Sequence, residues 1–121
     1  MPALARLPDG EAKITPGYQL PARWVIHTVG PVWQDGAHHE AELLASCYRQ
    51  SLALADEVGA STIAFPCIST GVYGFPQQLA ASIAVQTVRQ SLEGQSTPGK
   101  VYFVCFSQED TDIYRRLLRS D

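Results

Sequence analysis

The sequence predicts an α/β domain built on a largely parallel sheet, and two observations lead to that prediction. From residue 23 onward, runs typical of strands alternate with runs typical of amphipathic helices, in the order strand, helix, strand, helix, strand, helix. This alternation is typical of parallel strands joined by right-handed crossover helices. The length of 121 residues and the 45% share of hydrophobic residues fit one compact domain over residues 1–121.

Four segments are predicted as strands. Glu11–Thr15 is a short candidate that a Pro-Gly pair ends. Arg23–Val29 alternates in polarity and is rich in aromatic and β-branched residues. Ser61–Pro66 is a short apolar run, which predicts a strand buried on both faces. Lys100–Phe106 has the strongest strand pattern of the four.

Three helices complete the predicted alternation. Apolar residues recur at spacings of three and four over Glu40–Val58, and Gly59 is the expected stop just past the end. Gln77–Leu92 is a second amphipathic helix. Ser107, followed by acidic residues, is a typical helix start. The buried stripe of this last helix is predicted to comprise Ile113, Tyr114, Leu117 and Leu118.

The charge and hydropathy patterns argue against two classes of partner. The net charge is −3 and the nine basic residues are scattered, so the basic stripe of a nucleic-acid binder is missing. The one cluster, Arg115 with Arg116 and Arg119, falls near a predicted helix end, where cations are favourable. No apolar run approaches membrane-spanning length, and residues 1–10 carry no signal core. A cytoplasmic location without membrane contact is expected.

The potential metal ligands do not form a metal-binding pattern. Cys47, Cys67 and Cys105 are far apart and odd in number, which predicts reduced, buried small residues. His38 and His39 are adjacent, so they would not share one face of a helix. No metal and no cofactor are therefore predicted.

Residues 65–76 lie where a parallel α/β sheet is expected to bind its ligand, because they leave a strand at its carboxyl end. Gly71 and Gly74 permit positive φ and a close approach of the backbone to a ligand. Successive N–H groups and the start of the following helix can then hold an anion without Lys or Arg. A plain strand-to-helix loop that uses glycine for turning remains the alternative.

The loop lacks the residue spacing that two catalytic interpretations, a serine nucleophile and a cysteine nucleophile, would require. Ser69 follows a strand, but a nucleophile elbow needs Gly at position 67, where Cys67 stands. That fold also needs a His later in the chain, and the last one is His39. A phosphatase-type Cys67 would need Arg at position 73, which is Tyr73.

Three segments in the correct order resemble the macro domain family. FPCISTGVYGFP at residues 65–76 resembles the second phosphate-gripping loop of macro domains. GEAKITPGYQLPARWVIHTVGPVW at residues 10–33 resembles the branch that contains O-acetyl-ADP-ribose deacetylases and mono-ADP-ribosyl hydrolases. VYFVCF followed by an acidic segment resembles the final strand of that branch. The resemblance covers almost the whole chain from about Gly10.

This resemblance implies roles for the matching positions. The loop would wrap the diphosphate and distal ribose of ADP-ribose, and Tyr73 would cover that ribose. Phe106 would lie near the adenine or its ribose, while an ordinary core aromatic is the open alternative. His27 falls in a structural strand of the family, so a satisfied core histidine is expected. The implied ligand-binding loop residues are Ser69, Thr70, Gly71, Val72, Tyr73 and Gly74.

The start of the chain departs from the family pattern. Family members begin with a strand-loop-strand-helix unit that carries an adenine-reading Asp, an Asn-rich motif and a Gly-rich loop with an acidic residue. Those Asn and Asp residues are usually assigned to catalysis, so no catalytic residue is predicted here. The implied fold is a three-layer α/β/α macro-domain sheet missing its first strand-helix unit. A shortened gene, a misassigned start codon or a deliberately cut fragment would each produce it.

The resemblance therefore implies three possible functions. The first is recognition of ADP-ribose or O-acetyl-ADP-ribose with impaired hydrolysis of ADP-ribosyl esters, and ADP-ribosylated proteins are possible partners. The second is a non-catalytic ADP-ribose-binding module. The third is an inert remnant. The absence of a central strand between residues 23–29 and 61–66 would leave unpaired edges, which predicts low thermal stability or self-association.

Overall fold

The computed structural model describes residues 7–19 and 21–119, with Val72 described by its backbone only. Residues 1–6, for which the sequence predicts no signal core, lie outside this part. The described elements are, in chain order, β1 Ala12–Pro16, β2 Trp24–Thr28, α1 Glu40–Glu57, β3 Thr62–Pro66, α2 Gln77–Glu93, β4 Lys100–Val104 and α3 Gln108–Arg119, with a 3-10 turn at Gly71–Tyr73.

Local signals set the ends of the helices close to their predicted positions. Gly59 has φ of +67° just past the end of α1, a backbone conformation that glycine adopts without strain. The Ser107 hydroxyl accepts the N–H of Asp110 at 3.1 Å, which caps the start of α3. No helix within the described residues is long and apolar enough to cross a membrane.

The strands form two separate two-stranded sheets among the described residues. β1 and β2 pair antiparallel, from Ala12 opposite Thr28 to Pro16 opposite Trp24. β3 and β4 pair parallel, with Pro66 opposite Val104 at their carboxyl ends, and α2 connects them. The predicted βαβ unit is therefore confirmed for β3, α2 and β4. No described strand joins β2 to β3.

The core lies between the three helices and one face of the β3–β4 sheet. Phe65 packs against Tyr48 of α1 with ring centroids 4.9 Å apart, and Phe103 packs against Tyr114 of α3 at 5.0 Å. Phe65 and Phe103 stack on each other in the same face. All three helices thus cover one face, and the described residues place no second helical layer on the other.

The opposite face of this sheet is open, which corrects one prediction. β3 was expected to be buried on both faces, yet Ala64 and Pro66 are exposed. Their neighbours on β4, Tyr102 and Val104, are 50% and 41% exposed. The expectation was wrong because an apolar strand sequence does not reveal how many of its faces the described helices reach.

Candidate ligand-binding loop

The loop between β3 and α2 contains three residues with left-handed backbone conformation. Ser69 has φ of +67°, Gly71 of +69° and Gly74 of +76°. Such values are sterically uncommon for a residue with a Cβ, so Ser69 is held there by its surroundings. Extended Thr70 lies between left-handed Ser69 and Gly71, so the backbone turns tightly here, and the N–H groups of such turns can form an anion-binding concavity.

Internal hydrogen bonds hold this backbone in place. The N–H of Phe75 donates to the Ser69 carbonyl at 3.0 Å, and the N–H of Gly74 donates to the Gly71 carbonyl at 2.9 Å. The Thr70 hydroxyl donates to the Cys67 carbonyl at 3.2 Å. No described residue accepts the N–H of Thr70 or Gly71. These two donors are available to a ligand.

The helix that follows the loop adds further N–H donors that have no acceptor in the part of the chain that the structure describes. α2 has Pro76 at its N-cap, which makes no side-chain capping bond, and its first turn contains no acid. The first helical hydrogen bond runs from the Ala80 N–H to the Pro76 carbonyl. The N–H groups of Gln77–Leu79 therefore lack helical acceptors, and they carry the partial positive charge of the helix start. A phosphate is well suited to such a position.

The segment after β2 supports the loop from its side. The Trp33 N–H donates to the Tyr73 carbonyl at 2.8 Å, and the Trp33 ring packs against Phe75 with centroids 4.8 Å apart. A Cβ at Gly30 would lie 2.2 Å from the Ser69 hydroxyl oxygen, so only glycine permits this approach. The carboxyl ends of β2 and β3 thus meet at the loop, as predicted for a parallel α/β sheet.

A buried carboxylate that sequence reasoning missed organises the neighbouring loop. Glu40 is 1% exposed, and its Oε2 accepts the N–H groups of Gln34, Asp35 and Gly36 at 2.9, 3.1 and 3.0 Å. Its Oε1 accepts the His38 N–H at 2.6 Å. Burial raises the pKa of Glu40, but the backbone hydrogen bonds outweigh burial and lower that pKa to about 2. An acid at a helix start after an Asp-Gly turn was the available sequence signal.

The same residues form the one cluster of possible metal ligands in the described part of the chain. Donor atoms of Asp35, His38 and Glu40 lie within 4.8 Å of one another. Both Glu40 oxygens already accept backbone N–H groups, and Asp35 Oδ1 contacts the His38 ring at 2.9 Å. We assign the cluster to the structure of the loop.

The predicted ligand-binding aromatics are both accessible. Tyr73 is 38% exposed and Phe106 is 85% exposed. The interpretation of Phe106 as a core aromatic is therefore wrong. Phe106 follows β4, whose carboxyl end lies beside that of β3, so it projects at the same edge as the loop. The side chain of Val72 lies outside the described part, and its backbone forms the middle of the 3-10 turn.

Other polar groups near the site have structural partners. Burial, with Cys105 and Asp110 nearby, raises the pKa of the Cys67 thiol to about 12, so it is protonated at neutral pH and a poor nucleophile. Asp110 accepts bonds from the Gln77 amide and the Ser107 hydroxyl, each at 3.1 Å. The half-buried His27 contacts the Thr15 hydroxyl at 3.0 Å, as expected for a satisfied structural histidine.

Comparison with known proteins identifies the class of this domain. The family model described as Macro domain matches residues 2–84. The chain is 62% identical over 109 residues to macro domain-containing protein CT2219 of Chlorobaculum tepidum, covering 90% of this chain and 63% of that protein. It is 54% identical over 111 residues to a protein of Escherichia fergusonii named O-acetyl-ADP-ribose deacetylase, covering 92% and 63%.

Solved structures give the same result. The Oceanobacillus iheyensis macrodomain with ADP matches at 50% identity and a TM-score of 0.87, over 93% of this chain and 59% of that one. The Trypanosoma brucei macrodomain in complex with ADP-ribose matches at 40% identity and a TM-score of 0.82, over 92% and 46%. The chain belongs to the macro domain family, and the predicted family and α/β fold class are confirmed. It spans less than two thirds of the length of these relatives.

Proposed function

We propose that this chain binds ADP-ribose-type ligands, with the ligand diphosphate on the 69–74 loop. The observation that carries the proposal is the conjunction of left-handed Ser69, Gly71 and Gly74 with backbone donors at the start of α2 that have no acceptor among the described residues. A diphosphate offers the negative charge and the several acceptor oxygens that such donors require. Two macrodomains similar to this chain have been solved with ADP or ADP-ribose.

The remaining loop and strand-end residues would contact the sugar and base. Ser69, Thr70 and Val72 present backbone to the diphosphate and the distal ribose, which Tyr73 covers. Phe106 offers an exposed ring, suited to stacking on adenine or packing against its ribose. Free ADP-ribose, O-acetyl-ADP-ribose and ADP-ribosylated proteins all present this same group.

The proposal includes little or no hydrolysis of ADP-ribosyl esters by residues 1–121. Ester cleavage needs a positioned water and a group that accepts its proton, besides stabilisation of developing charge. Loop residues 67–76 contain no acid and no His. Asp110 is the acid placed beside the start of α2, and both its oxygens accept hydrogen bonds. No catalytic residue is therefore assigned.

Two further expectations belong to the same proposal. The three cysteines are free thiols, which supports a cytoplasmic location. β2 and β3 each have one edge that pairs with no described strand, so these are the edges through which self-association is proposed.

Titration calorimetry tests the proposed function. ADP-ribose should bind with one site per chain, and ADP should retain most of the affinity because it keeps the diphosphate. Adenosine should bind at least about tenfold more weakly than ADP, since the strongest contacts are charge-assisted hydrogen bonds. Equal affinities for ADP and adenosine would show that the diphosphate is not bound by the loop. The absence of binding heat with ADP-ribose would support the alternative of an inert remnant.

A further inference from the structure

Two of the three free thiols lie together at the carboxyl ends of β3 and β4. The parallel register ends with Pro66 opposite Val104, so the next pair along the two strands is Cys67 and Cys105. Both cysteines are half-buried and pack against the core. The structure therefore places two thiols side by side where the chain leaves this sheet and enters the 69–74 loop.

The side chains of this cysteine pair point to the same face of the sheet. Side chains alternate between the two faces along a strand, and Phe65 and Phe103 stack on the helical face. Cys67 and Cys105 come two residues later, so they point to that face as well. The Cys67 thiol donates a weak hydrogen bond to the Val104 carbonyl at 3.9 Å. After burial, the Cys105 thiol is the strongest cause of the raised pKa of Cys67, so the two sulfurs are neighbours.

This arrangement meets the main geometric requirements for a disulfide. Residues in register on neighbouring strands have Cα atoms about 4.8 Å apart, and disulfides join Cα atoms that are about 4.4–6.8 Å apart. Cβ atoms on one face keep about the spacing of their strands, whereas a disulfide holds them about 3.8 Å apart. Formation of the bridge therefore draws the two strand ends together by about 1 Å.

The third thiol differs from this pair in position and in access. Cys47 lies within α1, is 0% exposed and donates to the Val29 carbonyl at 3.4 Å. A thiol must be partly exposed to meet an oxidant, and it needs a second thiol beside it to convert the first oxidation product into a disulfide. Of the three cysteines, only Cys67 and Cys105 meet both conditions.

Each cysteine of the pair is also joined directly to a part of the proposed ligand site. The Cys67 carbonyl accepts the Thr70 hydroxyl at 3.2 Å, and this bond helps to hold the loop. Cys105 is followed at once by Phe106, the exposed ring proposed to contact the adenosine. A movement of about 1 Å at the two cysteines therefore shifts the backbone donors of the loop and this ring relative to each other.

We propose that Cys67 and Cys105 form a reversible disulfide when a hydroperoxide oxidises the chain, and that this bridge lowers the affinity of the site for ADP-ribose. The effect on affinity rests on the proposed function. One thiolate attacks a peroxide oxygen, which gives a sulfenic acid and releases water or an alcohol. The second thiol attacks the sulfenic sulfur, and its proton leaves with the hydroxyl group as water. The two thiols lose two electrons in total, and one peroxide is reduced.

The two thiols have different roles in this reaction. Burial raises the pKa of Cys67 to about 12 and keeps its thiol protonated, so Cys105 is the thiol that attacks the peroxide. The second step joins neighbouring sulfurs within one molecule, so a small thiolate fraction of Cys67 is sufficient. A dithiol reductant restores both thiols by exchange.

Thiol counting and mass spectrometry test the bridge without any ligand. The full 121-residue chain is treated with a slight excess of hydrogen peroxide, then denatured and alkylated. The expected result is a fall from three alkylated cysteines to one, a mass loss of two hydrogen atoms, and a peptide pair that joins Cys67 to Cys105. Three free thiols, a bridge to Cys47 or a disulfide between two copies of the chain would overturn the proposal.

Serine variants supply the matched controls. Cys47→Ser keeps a hydroxyl donor for the Val29 carbonyl and should still form the bridge, whereas Cys67→Ser and Cys105→Ser should not. Dimedone should trap a sulfenic acid on Cys105 in the Cys67→Ser variant. Trapping on Cys67 in Cys105→Ser, with none on Cys105 in Cys67→Ser, would overturn the order of attack.

Calorimetry on the reduced and the oxidised chain measures the effect on the site. The affinity for ADP-ribose should fall at least about fivefold on oxidation and recover after reduction, because the loop bonds and the ring are displaced. Peroxide-treated Cys105→Ser should bind as its reduced form does. Unchanged affinity in a chain shown to contain the bridge would overturn the regulatory effect. A reduced chain that binds no ADP-ribose would contradict the proposed function and this effect together, while the mass spectrum still decides the bridge.

Discussion

Two loops of this chain lead from a strand into a long helix, and they differ in whether an internal carboxylate accepts their backbone N–H groups. In the loop before α1, the Glu40 carboxylate accepts four of them, so the loop carries its own anion. In the loop before α2, no acid is present in residues 67–76 or in the first helical turn. The N–H groups of Thr70 and Gly71 have no described acceptor. This difference supports the proposal that the second loop binds an anion from outside the chain.

The largest expected effect is on the rate of ester hydrolysis. A loop of backbone donors can stabilise developing charge, but it supplies no acid or base. Acetate release from O-acetyl-ADP-ribose should be at least about 10²-fold slower than with the Escherichia fergusonii relative under identical conditions. Positioned acid and base groups typically account for a difference of that size. Comparable rates would show that residues 1–121 contain the catalytic groups. The proposal, which assigns no catalytic residue to this chain, would then be wrong.

A second experiment gives the 69–74 loop the internal anion that it lacks. Gly71→Glu adds a carboxylate where the diphosphate is proposed to bind, and the expected loss is about 2 kcal/mol, or about 30-fold in ADP-ribose affinity. Calorimetry measures it. A Cβ at Gly71 meets no atom within 4 Å, so the fold has room for the change.

Gly59→Glu is a closely matched control for that variant. Gly59 has φ of +67°, against +69° at Gly71, and a Cβ there also meets nothing within 4 Å. Both variants should therefore lose similar stability, about 1–2 kcal/mol for a left-handed residue with a side chain. Only Gly71→Glu should also lose affinity for ADP-ribose. Equal affinities for the two folded variants would contradict the diphosphate position.

The converse experiment removes the internal anion from the first loop. Glu40→Gln keeps the size of the side chain but places an amide N–H₂ against backbone donors, so the melting temperature at pH 7 should fall by several degrees. The control Glu42→Gln changes an acid that is 81% exposed and should have little effect. Thermal melting of both variants measures the difference.

The pH dependence follows from the lowered pKa of Glu40, about 2 in the folded chain against an ordinary 4.5. The ionised carboxylate therefore stabilises the fold fully above pH 4.5, and this stabilisation is lost as the pH falls toward 2. The gap in melting temperature between the wild-type chain and Glu40→Gln should close over that range. A gap that stays constant with pH would show that the carboxylate charge is not what holds the loop.

The smallest expected effect is at the adenosine end of the site. Phe106→Ala removes an 85% exposed ring, so the melting temperature should not change. Loss of one stacking contact should lower ADP-ribose affinity by about 1 kcal/mol, or about fivefold. Leu118→Ala removes another exposed apolar side chain, 46% accessible and on α3, and should leave affinity unchanged. Equal ADP-ribose dissociation constants for the two variants would show that Phe106 does not contact the ligand.

The parts of this fold that the sequence predicts are those set by neighbours in the chain. Helix α2 was predicted over Gln77–Leu92 and spans Gln77–Glu93, because apolar spacing and flanking Pro and Gly act locally. The role of Glu40 was not predicted, since its partners depend on the path of the preceding loop. The open face of β3 was missed because burial depends on elements distant in sequence. The exposure of Phe106 does not follow from the sequence, for the same reason.

The most direct test of the central claim is to follow individual backbone amides during ligand binding. In ¹H–¹⁵N NMR spectra, ADP-ribose and ADP should shift the backbone amide ¹H resonances of Thr70, Gly71 and Gln78 downfield, because each N–H would gain an anionic acceptor. The N–H groups of Gln34 and Gly36 already donate to Glu40, so their chemical shifts should not change. Adenosine should change neither set of chemical shifts. Loop amides that stay in place with bound ADP-ribose, or that move equally with adenosine, would contradict the account.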